Sequence, residues 1–231
     1  MVVNNFWNAQ VTIRKEVSDL FPDIAVAFLR GSIQNSLTNP DLWSLILEKS
    51  NGIAGSMDEE SIRKVEAISD GKQAYRHLGK DPNRYRLSAE ALLRRIVKGK
   101  GLYPISSAVD ALNLVSISTG ITIGAFDSQD IKGDIELGIG LPGEEFMAIG
   151  RGLLNVERLP VYRDQLGAIG NPTSDSERTQ IKVSTTEILM LITGFYGDKG
   201  IGNALKQLES LLTRFCECTK CTTGFISSVI I

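Results

Sequence analysis

The sequence is poor in the side chains on which catalysis most often depends. Its 231 residues include a single histidine, His77. With one histidine, the chain offers no serine–histidine–aspartate or cysteine–histidine order of the kind used in nucleophilic catalysis. It also lacks a Gly-Lys-Ser/Thr phosphate-binding loop and a Gly-x-Gly-x-x-Gly turn after a strand. These absences exclude the best-known nucleotide-binding loops and the common hydrolase triads.

Long hydrophobic runs are missing as well. The longest, residues 24–29 and 188–192, are too short to cross a bilayer, so we predict no membrane-spanning helix. Residues 1–5 have neither the charged start nor the apolar run of a secretory signal, so secretion is not expected. A cytoplasmic location without a membrane partner follows by elimination.

Neither sign of charge dominates the chain. The 25 Lys and Arg residues and 27 Asp and Glu residues give a net charge of −2. A protein that contacts many phosphates is usually more basic, so this balance argues mildly against extensive RNA contact but allows a local basic face. With 42% apolar and 23% charged residues, the composition is that of a folded globular protein.

Cysteine is confined to one short stretch. Cys216, Cys218 and Cys221 form a Cys-x-Cys-x2-Cys run that offers three thiolates. A closed structural zinc site needs a fourth ligand, and no second cluster of Cys or His supplies one. We therefore predict reduced thiols, no metal and no cofactor, with a metal-linked use of these thiols as the alternative.

The first part of the chain has the pattern of helices around one buried strand. The apolar run 24–29, ended by Gly31, predicts a central strand. Asn39 and Pro40 then predict the start of a helix, because proline is tolerated in a first helical turn.

From about residue 121 the pattern changes to strands and turns. Residues 121–127 and the alternating residues 135–139 predict strands, with further candidates at 159–162 and 180–183. Residues 170–176 have the composition of a long polar loop, and residues 203–215 predict a last amphipathic helix. Leading helices, following strands and no regular βαβ alternation indicate an α+β fold with mixed or antiparallel sheets and flanking helices.

A basic amphipathic helix follows a turn at residues 81–83. Ser88 is expected to cap this helix, and Glu90 suits the positive end of its dipole. The basic side chains on or near it are RNA-binding candidates, namely Arg84, Arg86, Arg94, Arg95, Lys98 and Lys100. They suit RNA phosphates, with Tyr85 or Tyr103 stacking on a base, and an ordinary solvated helix face is the simpler alternative.

Several polar or permissive residues are candidates for a substrate site. They are Asn113, Gly124, Glu144, Ser176, Arg178 and Thr179. The Asn113 side-chain amide can hydrogen-bond a substrate, or it can serve a structural role by bonding to the loop that follows it. Gly124 within a strand marks a bulge or the close approach of a ligand or another backbone.

The charged candidates also have structural alternatives. Glu144 follows a Pro-Gly turn, where a carboxylate can act as a base, bind an amino group or simply face solvent. Arg178 suits a carboxylate or phosphate held by two parallel bonds, or an ion pair with Asp164 or Asp175.

Taken together, these motifs resemble one family over about residues 75–195. The segments that carry the resemblance are residues 88–95 (SAEALLRR), 109–113 (VDALN), 120–127 (GITIGAFD) and 130–133 (DIKG), with Glu144, Asp164, Ser176, Arg178 and Thr179. They resemble the tRNA-binding and editing domain of the phenylalanyl-tRNA synthetase beta subunit. The resemblance implies an α+β fold, tRNA binding and the hydrolysis of tyrosine mis-attached to phenylalanine tRNA.

The chain also departs from that family's pattern. Gly124 stands where the synthetase domain carries a histidine, and Asn113 matches the asparagine of the family's pocket. The family's editing glutamate has no match in the apolar residues 188–191, and only Glu187 lies near. No synthetase catalytic core or ATP-binding loop accompanies the match, so we do not expect a complete synthetase.

The resemblance gives the expected organisation and two hypotheses of function. We expect a free-standing single domain over residues 1–231, with a helical part (1–80), an editing-domain-like core (81–197) and a last helix and tail (198–231). The first hypothesis is hydrolysis in trans of mischarged aminoacyl-tRNA, as an aminoacyl-tRNA deacylase. The alternative is a non-catalytic module for RNA or an amino-acid-like ligand. The expected partner is tRNA or aminoacyl-tRNA, and neither a membrane nor DNA.

Overall fold

The computed structural model describes residues 9–226 as helices packed on β-sheets. The helices are α1 (Lys15–Leu20), α2 (Pro40–Ser56), α3 (Glu59–Lys64), α4 (Glu66–His77), α5 (Ser88–Val97), α6 (Ser107–Thr119) and α7 (Ile201–Cys216). The strands are β1 (Val11–Ile13), β2 (Ala25–Ser32), β3 (Ile123–Asp127), β4 (Ile135–Ile139), β5 (Met147–Ala148), β6 (Gly152–Leu153), β7 (Pro160–Asp164), β8 (Gly167–Asn171), β9 (Ser174–Asp175), β10 (Glu187–Gly194) and β11 (Thr219–Ile226). None of the helices within residues 9–226 is long and apolar enough to span a membrane.

Strand β10 lies inside a four-stranded antiparallel sheet with the order β11-β2-β10-β3. It pairs along its whole length with β2, and its Leu191 lies opposite Gly124 of β3. Its apolar side chains are buried on both faces, which explains why its sequence is a continuous apolar run rather than an alternating one.

One face of this sheet is covered by helices and the other by a second sheet. Helices α6 and α7 contact the first face, and α2 packs on α6. The second sheet has the order β1-β4-β7-β8-β9, with β1 parallel to β4 and the remaining pairs antiparallel. Its Ile135, Leu137 and Ile169 pack with Leu189 and Leu191 of β10 in one buried cluster. The predicted α+β class, with mixed and antiparallel sheets and flanking helices, is confirmed.

Local signals in the sequence place several element ends correctly. The Asn39 side chain accepts hydrogen bonds from Asp41 N and Leu42 N at the start of α2. Gly120 has a φ of 75° after the end of α6, a left-handed conformation that glycine adopts without steric cost.

Other predictions for local structure were wrong. Residues 180–183 form no strand, because the strand of this region begins later, at Glu187. Residues 170–176 do not form a polar loop: they lie in and around the hairpin of β8 and β9, and Asn171 and Ser176 are buried. Residues 1–80 contain a second strand, β1, beside the predicted one.

The beginning of α5 also differs from the prediction. Ser88 is the first residue of the helix, Leu87 occupies the cap position, and no side chain caps the free amides. Instead, Ser88 N donates to Pro172 O at 2.9 Å, which ties α5 to the loop between β8 and β9.

A buried group of charges joins α3, α4 and α5. Glu90 is 1% exposed and accepts from Lys72 Nζ at 3.2 Å and from Arg94 Nε at 2.8 Å. Arg94 also pairs with Glu59 of α3. Glu90 is therefore shared by two buried cations, and Glu59 extends the group to α3, so the three helices are joined through these ion pairs.

Replacing Glu90 by glutamine tests this arrangement. Glu90→Gln leaves Lys72 and Arg94 without their shared counter-charge, so we expect the free energy of unfolding to fall by about 3 kcal/mol. The matched control is Glu60→Gln, because the Glu60–Lys64 pair is exposed and should contribute less than about 0.5 kcal/mol. Urea unfolding of the three proteins measures both effects, and equal losses for the two variants would contradict the structural role of Glu90.

Candidate functional site

A cleft opens at one end of the interface between the two sheets. Strands β3 and β10 form one wall, the β7–β9 region forms the other, and α4 with residues 195–201 closes the end. The enclosed part of the cleft is narrow, with a cavity volume of about 50 Å³, and the rest of the cleft opens to solvent. The residues that give it chemical character are Asp70, Thr122, Gly124, Tyr162, Asn171, Asp175, Thr193 and Lys199.

Gly124 lies in the wall of the cleft, packed against Phe126 and Asp175. A Cβ atom at position 124 would lie 3.1 Å from Phe126 Cζ and 3.4 Å from Asp175 Oδ1. Any side chain at this position would therefore press on Phe126 and Asp175. Glycine allows these two side chains to approach the β3 backbone closely.

Asp175 is a partly buried carboxylate with little compensation for its charge. Its Oδ2 accepts one hydrogen bond, from Ala125 N at 3.0 Å. Among the residues that the structure describes, no cation pairs with it. Burial raises the pKa of Asp175 to about 7, although the Ala125 N–H group acts in the opposite direction. The carboxyl group is therefore poised to gain or lose a proton near neutral pH.

Asn171 offers an unused hydrogen-bond donor in the same cleft. Its Oδ1 accepts from Thr173 N at 2.9 Å and from Ser174 N at 3.3 Å, which fixes the orientation of the amide. Its Nδ2 is buried and has no hydrogen-bond partner within residues 9–226. Since an unsatisfied buried donor costs free energy, this group suits a ligand acceptor.

Hydroxyl groups complete the polar lining. Thr122 Oγ1 is buried and lacks a partner in the described part of the chain. The Tyr162 and Thr193 hydroxyls are bonded to each other across the two sheets. The cleft thus combines a carboxylate acceptor, an amide donor and hydroxyls against apolar walls, as small-molecule sites often do.

Of the six predicted substrate-site residues, only Gly124 lines this cleft. Glu144 is instead held by Arg163, whose Nε and Nη2 lie 2.6 Å from its two carboxylate oxygens. Asn113 is partly buried on α6 and is not among the lining residues. Asn113 lies on α6, which covers the other face of the β10 sheet, so it does not meet Gly124 in this cleft.

The remaining predicted residues form a structural turn next to the cleft. Ser176 caps the 3-10 turn Glu177–Thr179 by accepting from Arg178 N. Arg178 donates to both Asp164 oxygens, at 2.9 and 2.7 Å, so the ion-pair alternative describes it. Burial would raise the pKa of Asp164, but this guanidinium and two backbone N–H groups hold it below its usual value. Thr179 is fully buried.

The six basic candidates do not form one exposed face. Arg94 is 6% exposed and bound to Glu90 and Glu59, so the expectation that it lies on a solvated face was wrong. The other five candidates are at least partly exposed. Arg95 donates to Gly101 O at 2.6 Å and stacks on Tyr103, and Lys98 pairs with Glu59. Arg84 stacks on Tyr85, which is buried, and Arg86 and Lys100 complete the set.

The cysteines lie away from the cleft. Cys216 and Cys218 are buried and Cys221 is partly buried, and all three are free thiols. Within residues 9–226, no cluster of three or more His, Cys, Asp or Glu side chains is arranged to hold a metal ion.

The sequence-based interpretation missed Asp175, Asn171 and Thr122 as cleft residues. A signal was present in residues 170–176, where several polar residues follow the strand Gly167–Asn171. That polarity was assigned to solvent exposure, whereas the hairpin turns these side chains inward.

One family model matches more than half of the chain. The family model of the B3/4 domain matches residues 71–215, well over half of the chain. Among solved structures, an N-terminal fragment of the phenylalanyl-tRNA synthetase beta subunit from Pyrococcus horikoshii is similar, with 15% sequence identity and a TM-score of 0.48. That similarity covers 94% of this chain and 50% of the fragment, so this chain spans about half the fragment's length. No curated protein sequence matches the chain.

The raised pKa of Asp175 predicts a pH-dependent effect on stability. Because the folded protein holds this proton more tightly than the unfolded chain, stability falls as pH rises from about 4 to about 7. We expect Asp175→Asn to raise the free energy of unfolding by about 1–3 kcal/mol at pH 8 and to have little effect at pH 4. Urea unfolding at both pH values measures this, with the exposed Asp23→Asn as control. A pH-independent difference would contradict the buried, unpaired state of Asp175.

Proposed function

Because this chain belongs to the B3/4 domain family, a domain found in the phenylalanyl-tRNA synthetase beta subunit, we propose that it hydrolyses mischarged aminoacyl-tRNA in trans. The aminoacyl end would enter the cleft between the sheets, and the tRNA would remain on the surface. Aminoacyl-tRNA as substrate agrees with a cytoplasmic location.

The observation that carries the proposal is the Asp175 carboxylate in the wall of the cleft, next to Gly124. With a pKa of about 7, a large fraction of Asp175 is deprotonated at neutral pH and yet basic enough to accept a proton. In this reaction Asp175 takes a proton from a water molecule whose oxygen attacks the ester carbonyl carbon. The carbon–oxygen bond to the ribose then breaks, and the proton passes to the departing ribose hydroxyl.

Asn171 supplies the complementary group. Its unpaired Nδ2 suits the carbonyl oxygen of the ester, on which negative charge develops during the attack. The two hydrogen bonds to its Oδ1 hold the amide in place before the substrate arrives. A donor that is already oriented stabilises the transition state without further reorganisation.

Gly124 is consistent with a changed catalytic arrangement. In the resemblance, the family's histidine would stand at this position, where its side chain would extend toward Asp175. In this chain no side chain stands between the β3 backbone and Asp175, and the base is a carboxylate from β9 instead. This assignment explains how chemistry can persist in a chain whose only histidine, His77, is not among the cleft residues.

A second candidate function is the binding of a free amino acid or similar ligand without turnover. Asp70 and Lys199 both line the cleft, and their opposite charges suit the ammonium and carboxylate groups of a zwitterion. Lys199 also pairs with Glu66 at 3.0 Å, so a ligand carboxylate would have to compete with that contact.

Deacylation of a panel of misacylated tRNAs tests the proposal. We expect wild-type protein to exceed the spontaneous rate for at least one of them, and Asp175→Asn to reduce the enzymatic rate by about 100-fold or more. Asn171→Ala should lose about 100-fold, because it removes the donor to the oxyanion. Asp23→Asn, an exposed carboxylate away from the cleft, is the matched control.

The pH profile of the same reaction gives an independent check. After subtraction of spontaneous hydrolysis, the rate should rise between pH 6 and pH 8 with a midpoint near 7, because the deprotonated carboxylate is the active form. A spontaneous rate with every tRNA, combined with binding of tRNA or free amino acids, would reject hydrolysis and select the binding module.

A further inference from the structure

Helix α4 separates the cleft from a second concave surface. Ala67, Asp70 and Gly71 face the cleft, whereas Ser69, Lys72 and Arg76 line a different pocket. At 100° per residue these two sets lie on opposite sides of the helix. The second pocket is completed by Arg63 and Asn83, and its cavity volume is about 250 Å³.

This pocket is lined by cations and neutral polar groups, with no carboxylate among its lining residues. Arg63 and Arg76 are exposed, and neither side chain forms an ion pair or hydrogen bond with any residue from 9 to 226. Lys72 is 5% exposed, and its ammonium group has one ion pair, with Glu90 at 3.2 Å, so the other two of its three N–H donors have no ion-pair partner within residues 9–226. A chain of net charge −2 therefore carries a concentrated positive site here.

The combination of groups identifies the ligand chemistry. Two guanidinium groups, one ammonium, one hydroxyl and one amide can surround a tetrahedral oxyanion with charged and neutral donors. A buried lysine beside two free arginines is unlike an ordinary solvated helix face, on which all the cations are exposed. We propose that Arg63, Lys72 and Arg76 form a phosphate-binding site, with Ser69 and Asn83 as additional donors.

The phosphate can belong to an RNA backbone or to a free phosphate ion, since both present the same oxygens. This phosphate-binding site does not depend on hydrolysis in the cleft. Its test measures the binding of phosphate or tRNA, and not the rate of deacylation. None of its cations is among the six basic residues that the sequence pattern singled out.

The test uses Arg63→Gln, Arg76→Gln and the double variant of the full chain. Both arginines are exposed and unpaired, so the variants should fold, and circular dichroism checks this. Arg214→Gln on α7 is the control, since it removes the same charge from an exposed position. Lys72 is left in place because its removal would disturb the buried Glu90 group.

Two measurements distinguish the sources of phosphate. The first is the thermal shift produced by inorganic phosphate against chloride at constant ionic strength. The second is fluorescence anisotropy of a labelled tRNA transcript over a series of salt concentrations. Each arginine variant should weaken binding of the relevant phosphate by roughly tenfold, as expected for a lost charge-assisted contact. In the RNA arm, each should also reduce the slope of log affinity against log salt by about 0.7–1.

Weaker binding of tRNA alone, or of both probes, supports the site with an RNA backbone as its ligand. Weaker binding of inorganic phosphate alone supports the site with a free phosphate ion. If neither probe is affected, or if Arg214→Gln weakens binding as much as the pocket variants, the proposal is overturned.

Discussion

The structure depends on the burial of strand β10 on both faces. This strand pairs with β2 and β3, packs one face against helices and presses the other against the second sheet. Its register fixes Leu191 opposite Gly124 and carries Thr193 into the wall of the cleft. A shift of one residue would exchange the side chains between the two cores and move Leu191 away from Gly124, so the geometry of the cleft depends on this pairing.

The protein uses buried charge in two different ways. Glu90 is surrounded by Lys72 and Arg94, and this paired group holds three helices together. Asp175 has one backbone donor and no paired cation among the described residues, and Asn171 beside it leaves a donor unused. The first arrangement stabilises the fold, whereas the second costs stability. Polar groups that are buried without partners and line one cleft are what a binding or catalytic site requires before its ligand arrives.

Much of the fold followed from the sequence, but the site did not. The helix start at Asn39 and Pro40 and the α+β class depend on local chemistry and on patterning, which are visible in a single chain. The cleft depends on which way the β8–β9 hairpin turns its polar side chains. The same residues 170–176 would be polar in a solvated loop, so composition could not separate the two cases. The burial of Arg94 could not be predicted from the sequence either, because it depends on ion pairs with Glu90 and Glu59 that form only when the helices pack.

The central claim is that the aminoacyl group binds between Asp175 and Asn171, and side-chain amide NMR tests it most directly. A non-hydrolysable aminoacyl-adenosine amide would be titrated into ¹⁵N-labelled protein, with adenosine alone as the control. The account predicts saturable shifts of the Asn171 Nδ2 resonances and of the Ala125 backbone amide, with no such shifts from adenosine. Unchanged Asn171 resonances at saturating ligand, with shifts elsewhere in the protein, would contradict it.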